Sequence, residues 1–205
     1  MNVKCLHLLL CGMLSVGFMG CDAPPNAQKR AAETLVFNVD ATRLEPAITD
    51  TMLNITMAAP KEWKKIDDAV LAQVMEQVAP RLEQGFKLVP RWIFMNVRSR
   101  AMCIVSQVNS VEIALDDTLL EAQENAYRDA FPEATVRRAT FRKDAFRIHQ
   151  LMVSAPDVVL IKLICDAPET LIFEVDYVVP KAVYAAELRA IESSIGSIHV
   201  RTDSP

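Results

Sequence analysis

Between residues 135 and 179 the chain repeats one pattern four times, and this stretch limits the folds open to it. Residues 135–142, 145–153, 158–166 and 171–179 are strand-length runs, the last three rich in Val, Ile, Leu and Phe. The links between them hold turn formers: Lys143-Asp144, then Ala155-Pro156-Asp157, then Ala167-Pro168. A parallel pairing needs a crossover of about a dozen residues or more, so neighbours joined this closely are expected to run antiparallel. Pro180 then stops the sheet and the period changes. Tyr184, Leu188, Ile191 and Ile195 fall on one helical face, with Gly196 as the expected helix terminator.

Upstream the signals are sparser. Residues 35–39 read as a short first strand. Residues 52–57 alternate, with Leu53, Ile55 and Met57 on one face, and Pro60 ends the run. Asp67 or Asp68 offers a cap for a helix carrying Leu71, Val74, Met75 and Val78, closed by Pro80. Residues 92–97 and 101–108 read as a hairpin about the charged joint Arg98-Ser99-Arg100. Thr118 and Glu121 match a capping box, and Leu120, Ala126, Tyr127 and Ala130 are the expected apolar stripe of the helix after it. The sum is an α+β arrangement, an antiparallel β-sheet with helices packed on it.

The first residues carry an address. Lys4 is the only charge before Asp22, and residues 8–19 form an apolar run of the length that secretory signals use. That run is too short to cross a bilayer, which takes roughly 20 apolar residues. Gly20 and Cys21 follow, an order similar to a bacterial lipoprotein signal, although Phe18 and Met19 depart from its usual Leu and small residue. This likeness implies that residues 1–20 are cleaved and that Cys21 is acylated. An ordinary cleaved signal is the alternative. Asp22, directly after the cysteine, is similar to the signal that retains enteric lipoproteins in the inner membrane. Residues 21–34, with Pro24, Pro25, Asn26 and Gln28, read as a lipidated tether, and residues 35–205 as one globular domain.

Charge and cysteines narrow the function classes. The whole chain has 22 basic and 26 acidic residues. Losing Lys4 makes the mature chain slightly more acidic, a poor composition for a nucleic-acid binder. Cys103 and Cys165 are the cysteines left once Cys21 is acylated and the signal is gone. They read as two small buried hydrophobes, with a disulfide in an oxidising compartment as the alternative. There is no H-E-x-x-H, G-x-S-x-G or P-loop. His149 and His199 have no second ligand at a zinc-like spacing, so neither metal nor cofactor is expected. Glu174 and Asp176 share one strand face, most simply a solvated one. Arg137, Arg138, Arg142, Lys143 and Arg147 are the basic concentration. They read as charges protecting an edge strand, or as a contact, through Arg138, Arg142 and Lys143, with anionic lipid or an acidic partner.

The strand ending at Pro60 with Trp63 three residues on resembles the opening of the PsbP-like and DcrB-like family. So does the close, where the last strand, Pro180 and a helix lead to Ile191-Glu192-Ser193-Ser194-Ile195-Gly196-Ser197-Ile198. The likeness spans residues 52–200 and is closest to DcrB-like inner-membrane lipoproteins. It implies an α-β-α sandwich and a non-catalytic accessory role, with an envelope protein as partner and no shared active site. The expectation is therefore a lipid-anchored binding module on the periplasmic side of the inner membrane. An envelope enzyme with a carboxylate-lined cleft is the alternative, and a small-ligand or metal carrier a weaker one.

Overall fold

The computed structural model describes residues 33–67, 69–70, 87–109, 117–168 and 170–201. In chain order the strands are β1 (Glu33–Thr34), β2 (Ile48–Asp50), β3 (Ile55–Met57), β4 (Lys64–Lys65), β5 (Lys87–Met95), β6 (Met102–Asn109), β7 (Thr135–Lys143), β8 (Phe146–Ser154), β9 (Val158–Asp166), β10 (Phe173–Pro180) and β11 (His199–Val200). Two helices are described along their length, α1 (Asp117–Ala130) and α2 (Lys181–Gly196). Eight strands form one sheet in the order β1-β7-β8-β9-β10-β6-β5-β4, and β11-β3-β2 form a second, smaller one. Among the described residues all strand pairings are antiparallel except that of β1 with β7. The fold class is α+β, as the short links require.

The pleat divides β10 between two environments. Phe173, Val175, Tyr177 and Val179 lie on one face, directly beside Cys165, Leu163, Ile161 and Val159 of β9. This face is the main core. Ile191 and Ile195 of α2, Ile198 after it, and Leu53, Ile55 and Met57 from the small sheet close over it. The opposite face carries α1, with Val136, Leu151 and Val153 packed beneath Tyr127.

Hydroxyl groups lock α2 in place. The Tyr177 hydroxyl donates to Ser194 Oγ at 2.9 Å, and Ser194 Oγ donates to the Ala58 carbonyl at 2.7 Å. Ser197 Oγ accepts from the Ala58 N–H at 2.9 Å. Ser193 Oγ accepts from the Asp40 N–H at 3.1 Å. Trp63 stands edge-on to Tyr177 with ring centroids 6.3 Å apart, and its Nε1 donates to Glu187 Oε2 at 3.2 Å. The residues that carry the family resemblance thus form one clamp between the last helix and the 58–63 segment.

Several expectations are corrected. Residues 35–40 form no strand, and Glu33–Thr34 join the sheet instead; Asp40 turns the chain by accepting from the Thr42 N–H at 3.0 Å. The strand expected from residue 52 begins at Ile55. Asp50 Oδ1 accepts from the N–H groups of Met52 and Leu53 at 2.8 and 2.9 Å, and Asn54 takes φ 55°, so the chain turns before it extends. The hairpin reading holds, but β5 starts earlier, at Lys87, and its register shifts between Pro90 and Trp92, because a proline cannot donate to the ladder. In α1, Thr118 lies inside the helix, Leu120 is buried, and Gln123, Glu124 and Tyr127 complete the inward stripe while Ala126 and Ala130 are exposed. The helix expected over 71–78 lies outside the described residues.

Gly196 is not a left-handed terminator. It is the last residue of α2, and the capping residue Ser197 has φ −82°. Its missing side chain answers a close approach: a Cβ there would lie 2.6 Å from Val39 Cγ2 and 2.7 Å from Phe37 Cβ. Gly196→Ala is therefore expected to destabilise the domain by about 1–3 kcal/mol through overpacking, despite a helix-propensity gain of about 1 kcal/mol. Urea unfolding of the two proteins measures the difference.

Candidate functional site

The face of the large sheet beneath α1 holds a row of polar groups. Lys162 sits in β9 directly opposite Asp176 of β10, and Glu174 is two residues away on the same face. Lys162 Nζ donates to Glu174 Oε1 and, at 3.2 Å, to Asp176 Oδ2. The Glu174 residue is 1% exposed and Lys162 6%. One strand further, His149 Nδ1 is 3.1 Å from Thr140 Oγ1. Leu120, Gln123, Arg138, His149, Gln150, Leu151, Lys162 and Ile164 line a cavity of about 10 Å³. That is room for roughly one water molecule.

Two buried ionisable groups, Lys162 and Glu174, and the half-buried Asp176 fix one another. Burial by itself pulls the Lys162 ammonium toward neutrality, but Asp176 and Glu174 outweigh it and hold the group cationic, with its pKa above the ordinary lysine range. Burial, and then the neighbouring Asp176, push Glu174 up to about 8, against the opposing pull of Lys162. One cation thus serves two carboxyl groups, and Glu174 releases its proton less readily than an ordinary glutamate. Burial also pushes the Tyr127 phenol up, with Lys162, Asp176 and Glu174 as the charged groups around it. The cluster can hold a proton. Glu174 and Lys162 are deeply covered, and the cavity beside them, as lined by the described residues, has no room for an organic substrate.

The other residues singled out in the sequence are dispersed. Glu174 and Asp176 do share a face, but α1 covers it, so the solvated face expected of them is corrected to a buried ionic cluster. Arg138 reaches back to α1, 3.7 Å from Glu121 Oε1 and 3.7 Å from Glu124 Oε2. Lys143 is buried. Its Nζ donates at 2.6 Å both to the Ile198 carbonyl and to Asp144 Oδ2, so its charge is used inside the fold and it cannot join a lipid or partner contact. Arg142 is exposed and stands opposite the exposed Arg147. Arg138, Arg142 and Lys143 therefore do not make one surface. His199 is exposed, with Nδ1 3.1 Å from Asp144 Oδ2. Cys21 and Asp22 lie outside the described residues. Cys103 and Cys165 are free and buried. They sit beside Tyr177 and Phe173 of β10, four residues apart along that strand. That is about 13 Å of strand rise, well beyond the roughly 7 Å Cα separation a disulfide can span.

The Lys162 cluster was missed by the sequence reading, yet one signal for it was present. Lys162 is the only cation in the nine-residue run Val158–Asp166, whose other side chains are apolar as far as the terminal aspartate. A charge buried in such a run needs partners, and the adjacent strand supplies two.

No protein-family profile matches the chain, and no curated protein matches it. Among solved structures it is similar to the solution structure of cyanobacterial PsbP (CyanoP) from Synechocystis sp. PCC 6803, with a TM-score of 0.49 and 14% identity over 80% of this chain and 95% of that one.

Two outcomes are expected of the cluster. Lys162→Met leaves the buried Glu174 and the half-buried Asp176 without their cation and is expected to cost about 3–5 kcal/mol in urea unfolding. Adding Glu174→Gln and Asp176→Asn is expected to restore most of that loss. Because folding raises the Glu174 pKa from its ordinary 4.5, the folded state binds this proton more tightly than the unfolded chain does. The resulting stability is fully present below pH 4.5 and is lost as pH rises through about 8. Unfolding free energies across that window are expected to fall with pH in the parent, and to fall less steeply in Glu174→Gln.

Proposed function

We propose that the chain is a lipid-anchored, non-catalytic accessory protein of the bacterial cell envelope, related to the PsbP-like and DcrB-like proteins. An acylated Cys21 would hold the domain at the inner membrane, and the domain would present a recognition surface to an envelope partner. Tethering makes such an encounter effectively intramolecular, so a modest surface suffices. The observation that carries this reading is the state of the Lys162 cluster. Its charges are matched to one another beneath α1, and the cavity beside it has about 10 Å³.

A carboxyl raised to about 8 next to a lysine is also what a proton-transfer enzyme would use. That second reading needs a route for substrate to Glu174, and a residue 1% exposed does not offer one. A flat recognition surface requires no such route.

Crosslinking in intact cells, with the native chain and a Cys21→Ser form compared, tests the proposal. The native chain is expected to fractionate with membranes, to carry an acyl mass on Cys21, and to yield the same crosslinked envelope protein repeatedly. Loss of the anchor is expected to move the protein out of the membrane fraction and to lower the crosslink yield. A native protein that carries no acyl group, or that yields no recurrent partner, would count against the reading.

A further inference from the structure

We propose that the arginine pair Arg142 and Arg147 is the part of the domain that faces anionic phospholipid headgroups. This rests on the lipid-anchored reading above and adds which end of the domain meets the bilayer.

The β7–β8 register sets Arg142 directly opposite Arg147, and both are exposed. Opposed residues in an antiparallel pair have Cβ atoms about 4.5–5.5 Å apart, where like charges repel. Arg43, Arg91, Arg98, Arg128, Arg138 and Arg189 each lie within ion-pair distance of a carboxylate. Among the described residues neither Arg142 nor Arg147 has such a partner. Arg100 and Arg137 are likewise exposed without an ion pair, but each stands apart, whereas Arg142 and Arg147 stand side by side.

The acids nearby offset the pair only in part and leave it net positive. Asp144, in the β7–β8 turn, is occupied by Lys143 at 2.6 Å and by His199 at 3.1 Å. Asp166 stands opposite Arg147 in the β8–β9 register without forming an ion pair with it. Glu33 lies opposite Phe141 rather than Arg142. Two neighbouring guanidinium groups, each a planar fork of donors, suit the oxygens of phosphate.

The start of the domain lies at the same place. Thr34 of β1 is paired with Arg142, and the Leu35 N–H donates to the Arg142 carbonyl at 2.8 Å. Cys21 precedes Glu33 by twelve residues, which span at most about 40 Å when fully extended. An acyl chain on Cys21 would therefore hold headgroup phosphates at high local concentration around these two arginines. The β5–β6 hairpin is at the other end of the strands: Met102 pairs with Val178, near the end of β10, whereas the β7–β8 turn lies toward Phe173.

Site-directed spin labelling of the acylated chain in vesicles reads this orientation. Cys103 and Cys165 are buried and Cys21 is acylated, so a cysteine introduced at exposed Ala145, in the β7–β8 turn, or at exposed Val97, in the hairpin, takes the label selectively. A nickel-chelating lipid at the headgroup level relaxes labels close to the membrane. In vesicles of equal parts phosphatidylcholine and phosphatidylglycerol, the Ala145 label is expected to relax more strongly than the Val97 label. That contrast is expected to shrink in pure phosphatidylcholine and in the Arg142→Glu/Arg147→Glu variant, whose thermal melt is expected to match the parent's, since both side chains are exposed. Equal relaxation at the two sites, or a contrast that survives the double substitution, overturns the proposal while leaving the anchor in place. A chain whose intact mass shows no acyl group overturns the anchor reading, and this orientation with it.

Discussion

The hydroxyl of Tyr177 lies at the centre of the core, where a donor without an acceptor costs about 1–3 kcal/mol. Burial pushes its pKa well above the ordinary phenol value, so it stays a donor at any working pH. Ser194 receives that bond and passes its own proton to the Ala58 carbonyl. A helix held at Ser194 has little freedom to rotate about its axis. Ile191 and Ile195 are then fixed on the sheet, Ser197 is brought to the Ala58 N–H, and Gly196 is turned against Phe37. Trp63 closes the same point from the side, through its edge contact with Tyr177 and its bond to Glu187. The small sheet, the last helix and the large sheet thus share one hydrogen-bonded joint.

The two faces of the large sheet use different chemistry, and β10 belongs to both. Its odd-numbered residues from Phe173 to Val179 supply the apolar core, while Glu174 and Asp176 meet Lys162 beneath α1. A one-residue slip of this strand would drive two carboxylates into the apolar core and turn Tyr177 away from Ser194. Ionic pairing on one side and the hydroxyl joint on the other both favour the same register. The cost of burying Lys162 and Glu174 is therefore accompanied by a gain in uniqueness at the centre of the sheet.

The meander was legible because its information is local. Alternation, turn residues and link lengths are properties of neighbouring residues, and the run 158–166 coincides with β9. Residues 52–54 show where locality fails, because Asp50 bends the backbone before the alternating residues can extend. Gly196 shows a different failure: its meaning lies in Phe37 and Val39, far away in the chain. For Glu174 and Asp176 the period gave the shared face correctly. Whether that face was wet or dry depended on a helix some fifty residues earlier. The partial burial of Gln123 and Glu124, polar residues on the inner side of α1, is what hid that helix's true stripe.

Cys103 and Cys165 carry a consequence for how such a chain is made. Both thiols are fully enclosed and burial holds them firmly protonated, so almost no thiolate exists to attack a disulfide or an oxidant. They are too far apart to join, and the core that surrounds them closes without a crosslink. The native state of this domain therefore needs no oxidase to complete it, and once folded these two thiols are indifferent to whether the surrounding compartment is oxidising or reducing.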